Sequence, residues 1–437
     1  MKTDISLKSL LVAAAIAAGA VLASADDAAQ TDMRVNPVLS MADTCSMAAE
    51  TYPFLDTALN TINFNGDDWS VLGERFRSAA QGKGKFSVLY LGDSHVQADF
   101  GGAVVRSVLS ESSRPAGRGL VVPFKLASTN EPVDYAMSLG KCDYTSSRLL
   151  KKPWNTDMPF TGIGVRPDAE NFAVDVSCRT SFSTMDFYYT GPEPAVRAVV
   201  AESGDTLRWS GVSRGDGRTA LRLDTLVNRA VVTFDGGGST TFAAVELLAD
   251  TVGTVVHSIG NNGATYSSYL GIDGFGKGIA SLSPDLIVVA LGTNEAFGKL
   301  SATGFTESVD RLVRSLRVSC PEAKLLLVTP VECFRTVYRR SKASKGRRSR
   351  RRAVKTVNTD ILLVRNLLLD YAGSHSVPVY DHYAVAGGKG AADKLKSAGL
   401  LGRDGVHFTA GGYRLWGNLL GGALLENLYQ PADSIGE

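Results

Sequence analysis

The chain has 437 residues, 44% of them hydrophobic and 21% charged, with 45 Gly and 15 Pro. That length suggests two or three domains, and the composition excludes collagen-like, wholly disordered and disulfide-scaffold proteins. The 46 basic and 44 acidic residues cancel to +2, against wholesale polyanion binding, but unevenly: residues 335–355 hold eleven Lys and Arg and no acid, which leaves −9 on the rest.

Lys2 and Lys8 precede a 14-residue apolar run, 10–23, which is followed by Ala23-Ser24-Ala25 and the acidic pair Asp26-Asp27. Such a run is too short for a bilayer, which needs roughly 20 apolar residues. A basic start, an apolar centre and a small-residue cut form the pattern of a secretory signal peptide over 1–25. The expected product is exported, periplasmic or secreted after cleavage near Ala25, with no membrane span. Export permits disulfides, and Cys142 with Cys178 is the best candidate pair among five Cys. Cys320 and Cys333 bracket an apolar strand-like run, and at about 3.3 Å per residue they lie too far apart to bridge.

Residues 31–65 give no clear pattern. A short helix is expected over 69–80, then a buried strand over 86–91 that breaks at Gly92-Asp93-Ser94-His95 and leads into a helix over 96–109. From 114 to 250 the texture becomes β-rich, with runs at 171–177, 181–189, 196–201, 229–234 and 241–248 separated by Gly-rich turns. Short strands without intervening helices argue for an antiparallel β-sandwich. From 251 strands (255–259, 286–291, 325–329, 377–380) alternate with helices (266–282, 305–318, 359–371, 410–428). The expected fold is therefore α/β, a parallel sheet with helices on both faces, formed by 26–113 and 251–437 and interrupted by a sandwich inserted over 114–250.

Ligands of such sheets bind beyond the carboxyl ends of the strands. Three polar motifs fall there or beside the last helix: Gly92-Asp93-Ser94-His95, Gly292-Thr293-Asn294-Glu295 and Asp404-Gly405-Val406-His407. A serine on a strand-to-helix turn is exposed. Asp404 and His407, three apart, can share one turn, so the carboxylate orients an imidazole that takes the serine proton. Asn294 offers an NH₂ donor to a developing oxyanion. Singly, each motif is commoner as a turn or cap than as a catalytic element; their joint occurrence in this order is what carries the reading.

With these residues in place the sequence resembles the SGNH (GDSL-type) hydrolase superfamily. Ser94 matches its block I serine, Gly263 in Asn261-Asn262-Gly263-Ala264-Thr265 its block II glycine, Asn294 its block III asparagine, and Asp404 with His407 its block V. The resemblance implies a flavodoxin-like sheet and serine acyl transfer: Ser94 attacks, His407 acts as base and then acid, and Asp404 orients His407. It also implies an oxyanion hole made of the Ser94 and Gly263 amides and the Asn294 side chain, with no cofactor. Two departures, His95 in place of the usual leucine and Asn-Glu in place of Asn-Asp, remove no catalytic group. The stretch from Gly92 to Asp99 is similar to a narrower group, the peptidoglycan O-acetylesterases, which carry a carbohydrate-binding-module-like sandwich between blocks I and II. Here 168 residues separate Ser94 from Gly263, enough for such a module.

The expected activity is thus removal of O-acetyl groups from a polysaccharide, peptidoglycan first. The alternatives are hydrolysis or acetyl transfer on another glycan, or a non-catalytic wall-binding protein on the same scaffold. Other motifs read blandly. Gly211-Val212-Ser213-Arg214-Gly215 fits a nucleophile pattern but lies in the insert and reads as a turn, and residues 271–277 lack the Ser or Thr that a phosphate loop requires. His257 reads as a core histidine, and His375 and His382 as surface or loop residues. No Cys/His spacing supports a metal site. His95 is placed either to line the site or to start a helix. The basic run 335–355 reads as a solvated loop at the catalytic rim, or as a surface attracting an anionic polymer such as the cell wall, with Arg339 and Arg340 as candidate substrate contacts. Nucleic acid is not an expected partner.

Overall fold

The computed structural model describes residues 41–215, 217–340 and 351–429, so the leader 1–25 and the centre of the basic run lie outside the described residues. After the helix Met41–Thr51 come a two-residue strand Ile62–Asn63 (β1), the helix Ser70–Ala80 and the strand Lys85–Gly92 (β2). Six of the eight residues of β2 are buried, without alternation, as in a strand covered on both faces. Nine strands follow: Gly117–Val121 (β3), Tyr135–Leu139 (β4), Tyr144–Arg148 (β5), Ile163–Pro167 (β6), Phe172–Thr190 (β7), Ala195–Ala201 (β8), Trp209–Gly215 (β9), Arg218–Asp235 (β10) and Thr241–Leu248 (β11). The α/β pattern then resumes with Gly253–Gly260 (β12), Leu286–Ala290 (β13) and Lys324–Val328 (β14). The strands Phe334–Arg340 (β15), Arg351–Val357 (β16) and Val379–Tyr380 (β17) complete the order.

The first sheet has the order β1-β17-β14-β13-β2-β12, parallel throughout except for β1 on β17. The register sets Gly92 of β2 level with Gly260 of β12 and Ala290 of β13, so the carboxyl ends of three neighbouring strands stop at one height. The nine strands β3–β11 form one antiparallel sheet. The expected pairs of short strands at 171–177 and 181–189 merge into the 19-residue β7, and 229–234 is part of the 18-residue β10. Both long strands run through two halves of the sheet, and the halves fold onto each other: Phe187 and Phe234, far apart in register, meet at 5.1 Å between ring centroids.

Some local expectations are corrected. The helix expected over 96–109 is broken at Asp99, whose φ of +57° ends one turn, Ser94–Gln97, before Phe100–Glu111 begins. The helix expected over 266–282 is two short pieces, Tyr266–Tyr269 and Phe275–Ala280. The basic run is not a loop where it is described, because β15 and β16 pair as an antiparallel ribbon. Residues 211–215 lie in β9 rather than in a turn. All five Cys are free. Register explains why Cys142 and Cys178 do not bridge: β4 pairs Tyr135 with Cys178, while Gly140 bonds Ala173, five residues along β7. At about 3.3 Å per residue that is some 16 Å, beyond the reach of a disulfide.

The two sheets share a core. Leu120, Val122, Phe160, Ile163, Tyr188 and Ala244 from the antiparallel part pack in one cluster with Leu89, Leu91, Ile259, Ile287 and Val289 of the parallel sheet. Beside it lies a buried ionic cluster. Arg118, 2% exposed, donates to Asp99 (2.7 Å) and Asp134 (3.1 Å), and Asp99 also accepts from Arg106 (2.8 Å) and Ser258 (2.5 Å). Removing one partner of a buried charge network costs about 3–5 kcal/mol, because it leaves unpaired charge in low dielectric. Arg118→Ala is therefore expected to lower stability by about that amount in urea unfolding. Because one apolar cluster spans both sheets, fluorescence and far-ultraviolet dichroism should shift together in one transition; two separated transitions would show that the antiparallel sheet unfolds independently.

Candidate functional site

The strand β2 ends at Gly92, where Asp93 turns the chain (φ −105°, ψ −142°) and accepts the His95 amide at 2.9 Å, capping the turn that starts at Ser94. After β12, Gly263 sits at φ +84°, a conformation that favours glycine, and its side faces open space, with only Leu150 at 3.9 Å from where a Cβ would stand. After β13 comes Asn294, and the segment before the helix Ala410–Tyr429 supplies Asp404 and His407.

These residues converge. His407 Nε2 lies 2.7 Å from Ser94 Oγ, and His407 Nδ1 lies 2.6 Å from Asp404 Oδ2. The other Asp404 oxygen accepts the amides of Val406 (2.9 Å) and His407 (3.0 Å), which fixes the carboxylate against its own turn. Burial works to raise the Asp404 pKa, but the hydrogen bond from the His407 ring, followed by those amides, holds it below the usual carboxylate range. Asp404 therefore stays charged and favours the imidazole tautomer with hydrogen on Nδ1, leaving Nε2 free to accept a hydroxyl proton. Neither the Ser94 nor the Gly263 amide has a protein acceptor among the described residues, so both are available to an oxygen beside Ser94.

The Asn294 amide is placed less simply. Its NH₂ donates to Asp93 Oδ2 (3.0 Å) and to the Ala264 carbonyl (3.0 Å), so its hydrogens are already engaged. An incoming oxyanion must share or replace one of these acceptors. Asp93, part of the Gly92–His95 motif, thus links the turn before Ser94 to Asn294. It is 1% exposed and, pushed up by burial and further by Glu295, has a pKa of about 7. Glu295 is also raised by burial and accepts the Tyr266 amide at 2.8 Å.

Behind the relay lies a cavity lined by Asp93, His95, Glu332, His382, Tyr413 and Trp416, among others. His95 does line the site: its ring lies 5.2 Å from that of His407, and its Nδ1 lies 3.1 Å from the Tyr413 hydroxyl. Burial and then the neighbouring His407 push His95 down to about 3, so it stays neutral. His382 is not a surface residue; its ring packs on Trp416 at 4.4 Å and burial lowers it to about 3. His257 is fully buried and His375 exposed, as expected. Arg339 and Arg340 lie at the far end of β15 from the relay.

The antiparallel sheet reaches the site as well. Gln97, 2% exposed, accepts the Asn262 amide at 2.8 Å and donates to Thr129 (2.8 Å) and the Asn130 carbonyl (3.0 Å). Asn262 in turn donates to both residues, so the loop after β3 is bonded to the loop that carries Gly263. The sequence signals this only as a Gln three residues after a serine.

A parallel α/β sheet with a Ser–His–Asp relay beside its strand ends is an arrangement able to carry out serine acyl transfer. Residues 215–415 match the model of the GDSL-like Lipase/Acylhydrolase family, a span that begins inside the antiparallel region and leaves Ser94 ahead of it. Over that span, 201 of the 437 residues, the chain is similar to GDSL-type acyl hydrolases. No curated protein matches the sequence. Among solved structures, it resembles in fold a peptidoglycan O-acetylesterase, at 22% identity and a TM-score of 0.66 over 84% of this chain and 99% of that one. A lipase/acylhydrolase from Enterococcus faecalis aligns at 23% identity over 39% of this chain and 74% of its own, with a TM-score of 0.27. Among the described residues no helix is long and apolar enough to cross a membrane, and no cluster of His, Cys, Asp and Glu could hold a metal.

The raised pKa of Asp93 makes a stability prediction. Folded Asp93 keeps its proton up to about pH 7, whereas the unfolded carboxyl loses it near 3.8, so between these values the folded state binds more protons and stability falls as pH rises. Asp93→Asn removes that dependence. The stability of the wild type relative to the variant should decline by up to about 4 kcal/mol between pH 4 and 7 and then level off, read from urea midpoints. A constant difference from pH 4 to 8 would show that Asp93 is ionised throughout.

Proposed function

We propose that this chain is an exported serine esterase that removes O-acetyl groups from a polysaccharide, with peptidoglycan as the substrate to test first. The observation that carries the proposal is the relay itself, Ser94 Oγ to His407 Nε2 at 2.7 Å and His407 Nδ1 to Asp404 Oδ2 at 2.6 Å, flanked by two free amides. In this reading His407 takes the Ser94 proton as Oγ bonds to the acetyl carbon. The carbonyl oxygen becomes an oxyanion held by the amides of Ser94 and Gly263, with Asn294 joining by exchanging an acceptor. His407 then gives its proton to the departing sugar oxygen as the ester bond breaks, and the same groups pass water onto the acetyl-enzyme to release acetate.

Three lines support the glycan. A solved structure whose fold matches over 84% of this chain is that of a peptidoglycan O-acetylesterase. A fold match over 84% of the chain extends beyond the parallel sheet, in keeping with a carbohydrate-binding-module-like unit inserted over 114–250. The leader over 1–25 directs the product to the envelope or beyond, where such a polymer is found.

The mature protein should release acetate from O-acetylated peptidoglycan and hydrolyse an aryl acetate. Ser94→Ala should lower both by at least about 10³-fold, and Asn294→Ala should lower kcat by about 10²-fold. Aryl acetate hydrolysis without acetate release from peptidoglycan would redirect the assignment to another acetylated glycan. Failure of both reactions would favour a non-catalytic binding protein.

A further inference from the structure

The ribbon β15–β16 rises directly from the Asp404–His407 turn. The Phe334 amide donates to the Gly405 carbonyl at 2.8 Å, the Phe334 ring packs against Gly405, and Lys355 Nζ donates to the Arg403 carbonyl. From there each strand runs outward for seven residues, about 20 Å, with no acidic residue on either. The register sets Arg339 opposite Arg352 and Arg340 opposite Arg351. Each of these register positions joins two basic residues, and no acidic residue on either strand offsets them. Arg351 and Arg352 are exposed, and Arg351 lies 4.4 Å over the exposed Tyr338 ring, which offers an apolar face beside the cations.

A second cationic group lies on the other side of Ser94. Leu150, the residue nearest the open side of Gly263, is followed by Lys151 and Lys152, both exposed. In the sheet order β14-β13-β2-β12, the ribbon follows β14 and Gly263 follows β12, with the strand that leads to Ser94 between them. Three strand spacings, about 15 Å, separate the strand ends from which the two features depart, and the paired arginines stand at the far end of the ribbon, about 20 Å further out. The two cationic groups therefore stand on either side of the serine and farther apart than the roughly 10 Å Debye length in 0.1 M salt, on a chain that is net acidic outside 335–355.

We infer that the ribbon and the Lys151–Lys152 rim together hold an anionic, carboxylate-bearing polysaccharide across the Ser94 cleft. The inference rests on the esterase reading for the purpose of that binding and narrows its substrate class from glycans at large to anionic ones. Neutral acetylated glycans would meet no counter-charge here, whereas an anionic strand long enough to reach both groups would be held across the serine.

The test uses the full mature chain carrying Ser94→Ala, so that binding is read without turnover, with R351Q/R352Q, K151Q/K152Q and all four changes added. Co-sedimentation with peptidoglycan sacculi in about 50 mM NaCl should weaken about threefold for each pair and about tenfold or more for the four together. The difference should vanish in about 0.5 M NaCl, and binding to acetylated xylan, a neutral glycan, should not change. Thermal midpoints within about 2 °C of the parent would place the loss in binding rather than folding; a quadruple variant that melts lower is replaced by the pair variants, which carry the same prediction. Unchanged binding to sacculi, or an equal loss toward xylan, overturns the inference, as does tighter binding to duplex DNA than to sacculi. Aryl acetate hydrolysis by the chain with Ser94 intact decides the esterase reading separately, since salt-sensitive binding without hydrolysis would remove the chemistry and leave the surface.

Discussion

Everything at the site depends on the parallel pairing of β2 with β12, two strands separated by 160 residues of chain. That pairing and the one with β13 bring Gly92, Gly260 and Ala290 level, and from this common height the loops bearing Ser94, Gly263 and Asn294 depart. The approach is close enough to restrict side chains: a Cβ on Gly260 would collide with the Gln97 backbone, and one on Gly92 with Val96. The Tyr269 hydroxyl donates to the Gly92 carbonyl at 2.5 Å, and the Asn261 amide reaches the same oxygen at 3.3 Å, so the turn before Ser94 is tied to the loop that presents Gly263. Contacts of such long range repay their loop-closure entropy only once the intervening chain has folded. The intervening chain meets that condition locally, since it leaves and returns at one point, where the Thr254 amide donates to the Arg114 carbonyl at 2.6 Å and Ala116 donates to Thr254 at 2.9 Å.

Adjacent entry and exit suit an inserted module, and the antiparallel sheet does bury a core of its own around Phe187, Phe234 and Phe242. Its contact with the parallel sheet is nonetheless more than the polar interface usual between domains. Here one apolar cluster runs from β13 through β2 and β12 into β3, β6 and β11, and Arg118 of β3 is bonded to Asp99, which sits between the first two helical turns after Ser94. The loop after β3 also reaches the site through Gln97 and Asn262. A force on the antiparallel sheet is therefore transmitted to the loops around Ser94 through hydrogen bonds and buried charge rather than through a hinge.

Most of the parallel sheet was legible because its strands are continuous apolar runs bounded by Gly, and its candidate site because Ser94, Gly263 and Asn294 follow such runs while Asp404 and His407 precede the last helix. What stayed hidden has physical causes. The strands β3, β5 and β6 are short and Gly- or Ser-containing, so periodicity carries little signal in them. The length of β7 was obscured by Arg179-Thr180-Ser181, a polar patch that reads as a turn but is the exposed bend between two buried stretches of one strand. His382 was misplaced because its burial comes from Trp416, 34 residues on, and no local pattern announces a partner on another element. The basic run reads as solvated by composition alone; its ribbon is set by β-branched and aromatic residues, Thr336-Val337-Tyr338 and Val354, dispersed among the arginines.

The electrostatics of the site divide it into two zones. Asp93, His95, Glu295 and His382 lie beneath the serine, where desolvation pushes the carboxyls up and the imidazoles down, so each is driven toward its neutral form. Above them Asp404 is 52% and His407 41% exposed, so this part of the relay works in water, where a charge pair is worth far less than in a dry pocket. An enzyme for small, freely diffusing esters would gain from closing over such a relay. A relay left open gains the same desolvation only from its substrate, and a chain lying across the cleft supplies more covering surface than a single acetylated sugar. The open outer zone and the desolvated floor are thus two parts of one arrangement: burial disfavours charge beneath the serine, while exclusion of water from the exposed relay is left to whatever binds across it.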